Sequence, residues 1–103
     1  MRILRFIVRG QTILRDPACD FSGIVRKSKG YLRASFTFDE HWKGCKKAAS
    51  FFDVKGNEFA APIKIDGCMI PDDAVVGYEF KVSVTGKRDG YLISTNKVSV
   101  EQG

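Results

Sequence analysis

Tyr78-Glu79-Phe80-Lys81-Val82-Ser83-Val84-Thr85 alternates apolar and polar residues without a break. One face carries Tyr78, Phe80, Val82 and Val84, and the other carries Glu79, Lys81, Ser83 and Thr85. A period of two places successive side chains on opposite faces of a strand, so this segment reads as a strand with one face on a core. Gly30 to Phe38 repeats the pattern, with Leu32, Ala34, Phe36 and Phe38 opposite Tyr31, Arg33, Ser35 and Thr37. Half-buried alternation of this kind belongs to antiparallel sheets.

Outward from these two strands, the N-terminal segment sets Leu4, Phe6 and Val8 on one face and Ile3, Arg5, Ile7 and Arg9 on the other. Gly10-Gln11 reads as a turn or kink, followed by a short strand near Thr12 to Arg15 that Asp16-Pro17 ends. Residues 45–53 and 57–65 read as a hairpin, with Pro62 assigning its second strand to an edge or a bulge. Lys87-Arg88-Asp89-Gly90 reads as a turn before one long strand or two short ones over Tyr91 to Val100. Helix is limited to single turns at Asp39 to Gly44, capped by Asp39, and at Pro71 to Val75. The expected fold is therefore all-β: an antiparallel sandwich, immunoglobulin-like or jelly-roll-like, of about seven to nine short strands.

The 103 residues, 44% hydrophobic and 12% aromatic, suffice for one domain over residues 1–103 and exclude a disordered tail. No apolar run exceeds a triplet such as Phe6-Ile7-Val8, so neither a membrane span nor a signal peptide is expected, and synthesis is placed in a cytoplasm. Residues 1–51 carry eleven Lys/Arg against four Asp/Glu, whereas residues 52–103 carry six against eight. That asymmetry marks a basic binding face or a solvated one.

Side chains suited to catalysis or metal binding are few. Cys19, Cys45 and Cys68 are odd in number, widely spaced and without a Cys-x-x-Cys pair, which points to reduced thiols. His41 is the single histidine, so a zinc site would have to include it, and Cys45, four residues on, would share a helical face with it. No Gly-x-Ser-x-Gly elbow and no phosphate-binding loop occurs, and Asp72-Asp73 after Pro71 suits the start of a helical turn. No catalytic residue, metal or cofactor is expected. Lys29-Gly30-Tyr31-Leu32-Arg33-Ala34-Ser35-Phe36 matches an RNA-binding signature at Lys29, Gly30, Tyr31 and Phe36 but not at Leu32 and Arg33. A barrel using Tyr31, Trp42 and the Arg26-Lys27-Lys29 cluster is the other nucleic-acid form.

The order of motifs from residue 36 onward carries a further signal. It runs Phe36-Thr37-Phe38, Trp42-Lys43-Gly44, Ala49-Ser50-Phe51, Cys68-Met69-Ile70-Pro71, Gly77 to Gly86, and Ile93-Ser94-Thr95-Asn96-Lys97-Val98-Ser99-Val100. This order resembles the N-terminal β-sandwich domain of virion proteins from tailed phages and prophages of Gram-positive bacteria, of the upper-baseplate, tail-fibre or head-fibre type. The resemblance covers residues 36–100 and implies a sandwich in which Trp42 is a core aromatic, Cys68 a buried thiol and Gly86 a turn residue. Family members continue into a linker, coiled coil or receptor-binding part, whereas this sequence stops at Glu101-Gln102-Gly103, which suits a decoration or adaptor.

The resemblance implies a virion structural protein, made in the bacterial cytoplasm and carried in the particle, with copies of itself or other virion proteins as partners. The N-terminal strand is the expected interface and sheet edge, through Ile3, Arg5, Ile7 and Arg9. A small basic protein acting on nucleic acid or on a host-defence complex is the second reading.

Overall fold

The alternating segments become nine strands in a computed structural model that describes residues 1–103. They are β1 (Arg2–Arg9), β2 (Thr12–Arg15), β3 (Leu32–Phe38), β4 (Lys46–Phe52), β5 (Glu58–Pro62), β6 (Gly67–Met69), β7 (Glu79–Arg88), β8 (Tyr91–Ser94) and β9 (Val98–Glu101). One sheet has the order β2-β1-β3-β6. The other has the order β5-β4-β7, with β8 and β9 sharing the far side of β7. The sheets pack face to face as a β-sandwich around twenty buried apolar residues. Single 3-10 turns at Glu40–Trp42 and Asp72–Val75 are the only helical elements. No helix is long and apolar enough to cross a membrane.

Leu4, Phe6 and Val8 of β1, with Ala34 and Phe36 of β3, face Ala49 and Phe51 of β4 and Phe80, Val82 and Val84 of β7. An aromatic column runs through this core. Phe21 meets Phe6 edge-on at 5.5 Å between ring centroids, and Phe6 stacks on Phe36 at 5.6 Å. Phe38 then lies 5.9 Å from Phe36 and 5.3 Å from Trp42. Each such pair adds about 0.5–1.5 kcal/mol to what burial alone contributes. Trp42 is fully buried, and its indole N–H donates to the Gly10 carbonyl at 2.8 Å.

Three details differ from the sequence expectation. First, β1 and β3 pair in parallel, with Arg2 beside Leu32 and Val8 beside Phe38. Parallel neighbours need a crossover of a dozen or more residues, and residues 16–31 supply it. It is tied down locally: the Arg2 Nη2 donates to the carbonyls of Asp20 at 3.0 Å and Ser22 at 2.5 Å. Asp16 and Asp20 accept the N–H groups of Ala18 and Ser22, and Ile24 is buried in the core. Second, Tyr78 is 63% exposed, because β7 begins one residue later and the face rule does not reach it.

Third, Gly86 is not a turn residue but sits in mid-strand in β7, paired with Lys47 and Ile93. A Cβ there would stand 2.7 Å from the Trp42 ring, so the absence of a side chain makes room for the indole. The turn comes later, at Asp89-Gly90, where Gly90 has φ +68°.

The sandwich also manages its edges. The Asn96 amide completes the outer edge of β2, with Oδ1 accepting from Ile13 N–H at 2.9 Å and Nδ2 donating to the Ile13 carbonyl at 3.4 Å. The Asn96 N–H donates to the Gln11 carbonyl, so one residue between β8 and β9 holds the edge of the opposite sheet. On the other side, Lys64 and Gly67 exchange backbone bonds around Ile65 (φ +52°) and Asp66 (φ +57°), and the chain crosses there from β5 to β6. Pro62 lies on the edge strand β5, where its missing N–H costs no ladder bond.

Candidate functional site

Ile3, Arg5, Ile7 and Arg9 all lie on the face of β1 turned away from the core. Arg5 and Arg9 are exposed, Ile3 is 42% exposed and Ile7 is half-buried, between the fully buried Leu4, Phe6 and Val8. The strand that carries them is not a sheet edge. β1 lies between β2 and β3, because the chain turns back at Gly10 and the crossover returns β3 to its other flank. Where β2 stops, the crossover takes over: Arg5 N–H donates to Cys19 Sγ at 3.4 Å, and Asp16 N–H donates to the Arg5 carbonyl at 3.0 Å. β1 therefore offers no free ladder for strand addition, and what it presents is a sheet face.

Register extends this face beyond the residues that sequence indicates. Ile3 pairs with Arg33, which pairs in turn with Met69, while Ile7 lies between Leu14 and Thr37. Ile3, Ile7, Leu14 and Met69 thus share one surface with Arg5, Arg9 and Arg33. The alternation of β3 already turned Arg33 outward, but only the parallel pairing brings it beside Ile3. Its guanidinium lies across Gly67, where an added Cβ would approach Nη2 to 2.9 Å. Neither Arg5 nor Arg9 forms an ion pair. Asp16 is the acidic residue in register with Arg5, and its carboxylate is already engaged by Ala18 N–H at 2.9 Å. The face is apolar at four positions and carries more positive than negative charge.

The groups considered for chemistry are placed differently. His41 Nδ1 lies 3.1 Å from Asp39 Oδ2, and Asp39 also accepts the N–H groups of His41 and Gly10. Partial desolvation works to raise the Asp39 pKa, but the hydrogen bonds from His41 and Gly10 outweigh it and hold the carboxyl below the usual range. His41 has no hydrogen bond to a serine or cysteine. It shares no helical face with Cys45, because the 3-10 turn ends at Trp42 and Lys43 is already extended. No group of three His, Cys, Asp or Glu side chains is placed to hold a metal ion.

Cys68 is buried, and desolvation pushes its thiol up to about 11 against the opposing pull of Arg33. Asp72 accepts Gly30 N–H at 2.9 Å while opening its 3-10 turn. Trp42, with its ring in the core, presents no surface on which a base would stack. Comparison of the sequence with family models and with curated proteins finds no match in either.

Proposed function

We propose that the chain is a non-catalytic structural module of a tailed-phage particle, an assembly, decoration or adaptor piece of baseplate, fibre or head. The motif order over residues 36–100 supports the setting. The observation that carries the mode of action is the outer face of the β2-β1-β3-β6 sheet, where Ile3, Ile7, Leu14 and Met69 lie among Arg5, Arg9 and Arg33. Apolar anchors ringed by arginines are the composition of protein interfaces, in which Arg supplies bidentate contacts to carboxylates.

Charge decides the geometry of such a contact. A two-fold, face-to-face pairing would set these arginines against their own copies. A heterologous contact is favoured, with this face on an acidic surface of the next subunit or of another virion protein.

Each isoleucine buried in the contact contributes about 2 kcal/mol, which is roughly 30-fold in a dissociation constant. Multi-angle light scattering of the purified protein at low and high salt is expected to give a defined ring-type oligomer. Ile3→Glu combined with Ile7→Glu should reduce it to single chains with unchanged circular dichroism. A wild-type mass of one chain at both salt concentrations eliminates self-assembly, and a double variant that stays assembled eliminates this face.

A further inference from the structure

The other sheet carries a line of lysines that no sequence periodicity reveals. Lys46 and Lys87 are directly opposed across β4 and β7, on the outer face. The β4–β5 register, Ala48 with Pro62, is continued by the Ile63 N–H bond to the Lys47 carbonyl at 2.9 Å, and this sets Lys64 beside Lys46. Lys64, just past the end of β5, Lys46 of β4 and Lys87 of β7 thus form one row. With about 4.8 Å between neighbouring strands, their stems span about 10 Å.

Like charges directly opposite one another destabilise a sheet, and nothing here offsets them. The ion pairs of the molecule are Arg15–Glu101 and His41–Asp39, so none of the three ammonium groups has an acidic partner, and none makes a hydrogen bond. Lys46 also stands between two open hollows. One, of about 500 Å³, is lined by Cys45, Lys46, Lys47, Lys64 and Asp66 among others. The second, of about 580 Å³, is lined by Lys46, Lys87, Arg88 and Asp89 with two glycines. Arg88 is fixed there, its guanidinium 4.0 Å over the Tyr91 ring and donating to the Lys43 carbonyl. Lys47 turns to the core side, its Nζ 4.9 Å over the Phe38 ring, so Asp66 and Asp89 meet four cations, Lys46, Lys64, Lys87 and Arg88. The next row on this face, Pro62, Ala48, Thr85 and Ser94, is uncharged, and the exposed Leu92 flanks Lys87.

We infer that this row is a binding site for the phosphodiester backbone of duplex nucleic acid, on the sheet opposite the proposed docking face. Three ammonium groups on long flexible stems, rooted about 4.8 Å apart, can each reach a phosphate of one strand. Lysine serves as a point charge for such contacts, and no aromatic side chain stands free beside the row to stack on unpaired bases. Recognition is therefore of the backbone and not of sequence.

The test is fluorescence anisotropy with two short labelled DNA duplexes of unrelated sequence, titrated across about 50 to 200 mM salt. Equal affinities for both are expected, with log K falling linearly with log salt. Lys46→Gln with Lys87→Gln should weaken binding at least about tenfold and reduce the slope by about 2. It should leave thermal stability unchanged or raised, because the opposed charges are gone. Lys55→Gln with Lys97→Gln removes the same charge at exposed positions away from the row and should leave binding nearly intact. Absence of binding at the lowest salt overturns the inference, as do equal losses in the two variants, which would reflect net charge alone. Displacement of the duplex by poly-glutamate as readily as by unlabelled duplex overturns it in favour of an acidic protein partner.

Discussion

Trp42→Ala is expected to lower the unfolding free energy by about 3–5 kcal/mol, a large part of the roughly 5–15 kcal/mol that holds a domain of this size together. The loss has two sources. The fully buried indole leaves a cavity at the end of the aromatic column, and the Gly10 carbonyl loses its donor. Urea unfolding of the two proteins measures it. Gly86→Ala supplies the cross-check, since its Cβ would meet the indole at 2.7 Å and the Cys45 Cβ at 3.2 Å. It should cost about 1–3 kcal/mol alone and much less beside Trp42→Leu. Additive costs in that cycle would mean that Gly86 is there for some reason other than the indole.

Phe6→Ala is the second large effect, again about 3–5 kcal/mol. Phe6 is 1% exposed and joins two parts of the molecule, stacking on Phe36 of β3 and taking the edge of Phe21 from the crossover. Its loss should therefore be uneven. Hydrogen exchange is expected to accelerate at Arg5 N–H, held by Cys19 Sγ, and at Asp16 N–H, held by the Arg5 carbonyl, more than in the β4–β7 ladder. Uniform acceleration across both sheets would show that the crossover does not depend on this ring.

Alternation made the strands legible because the period of two is imposed by the backbone itself. It gave the buried faces of β1, β3 and β7, and the Pro62 edge followed from the missing donor of proline. Pairing was not legible, because partners are chosen by groups distant in sequence. The parallel β1–β3 register pairs residues thirty apart in sequence, and no local pattern announces either that pairing or the Arg2 bonds to the Asp20 and Ser22 carbonyls in the crossover. The turn at Ile65-Asp66 was hidden for a different reason. Both residues adopt a left-handed backbone that Asn-Gly would normally supply, and a β-branched residue there gives no turn signal.

The two surfaces show the same division. The outward positions of Ile3, Arg5, Ile7 and Arg9 come from one strand, so alternation places them. The lysine row comes from β4, β7 and the segment after β5, so only register assembles it.

The buried thiol of Cys68 has a use that depends on time. It is 6% exposed, on the three-residue edge strand β6, opposite Ala34. Alkylating reagents attack the thiolate, and at neutral pH a thiol raised to about 11 supplies almost none. Cys19 and Cys45 are only partly covered, so an unaltered sample offers two prompt reaction sites and one delayed. The third mass increment therefore reports how far the β6 edge stands open from β3, and the molecule carries its own gauge of local opening at that edge.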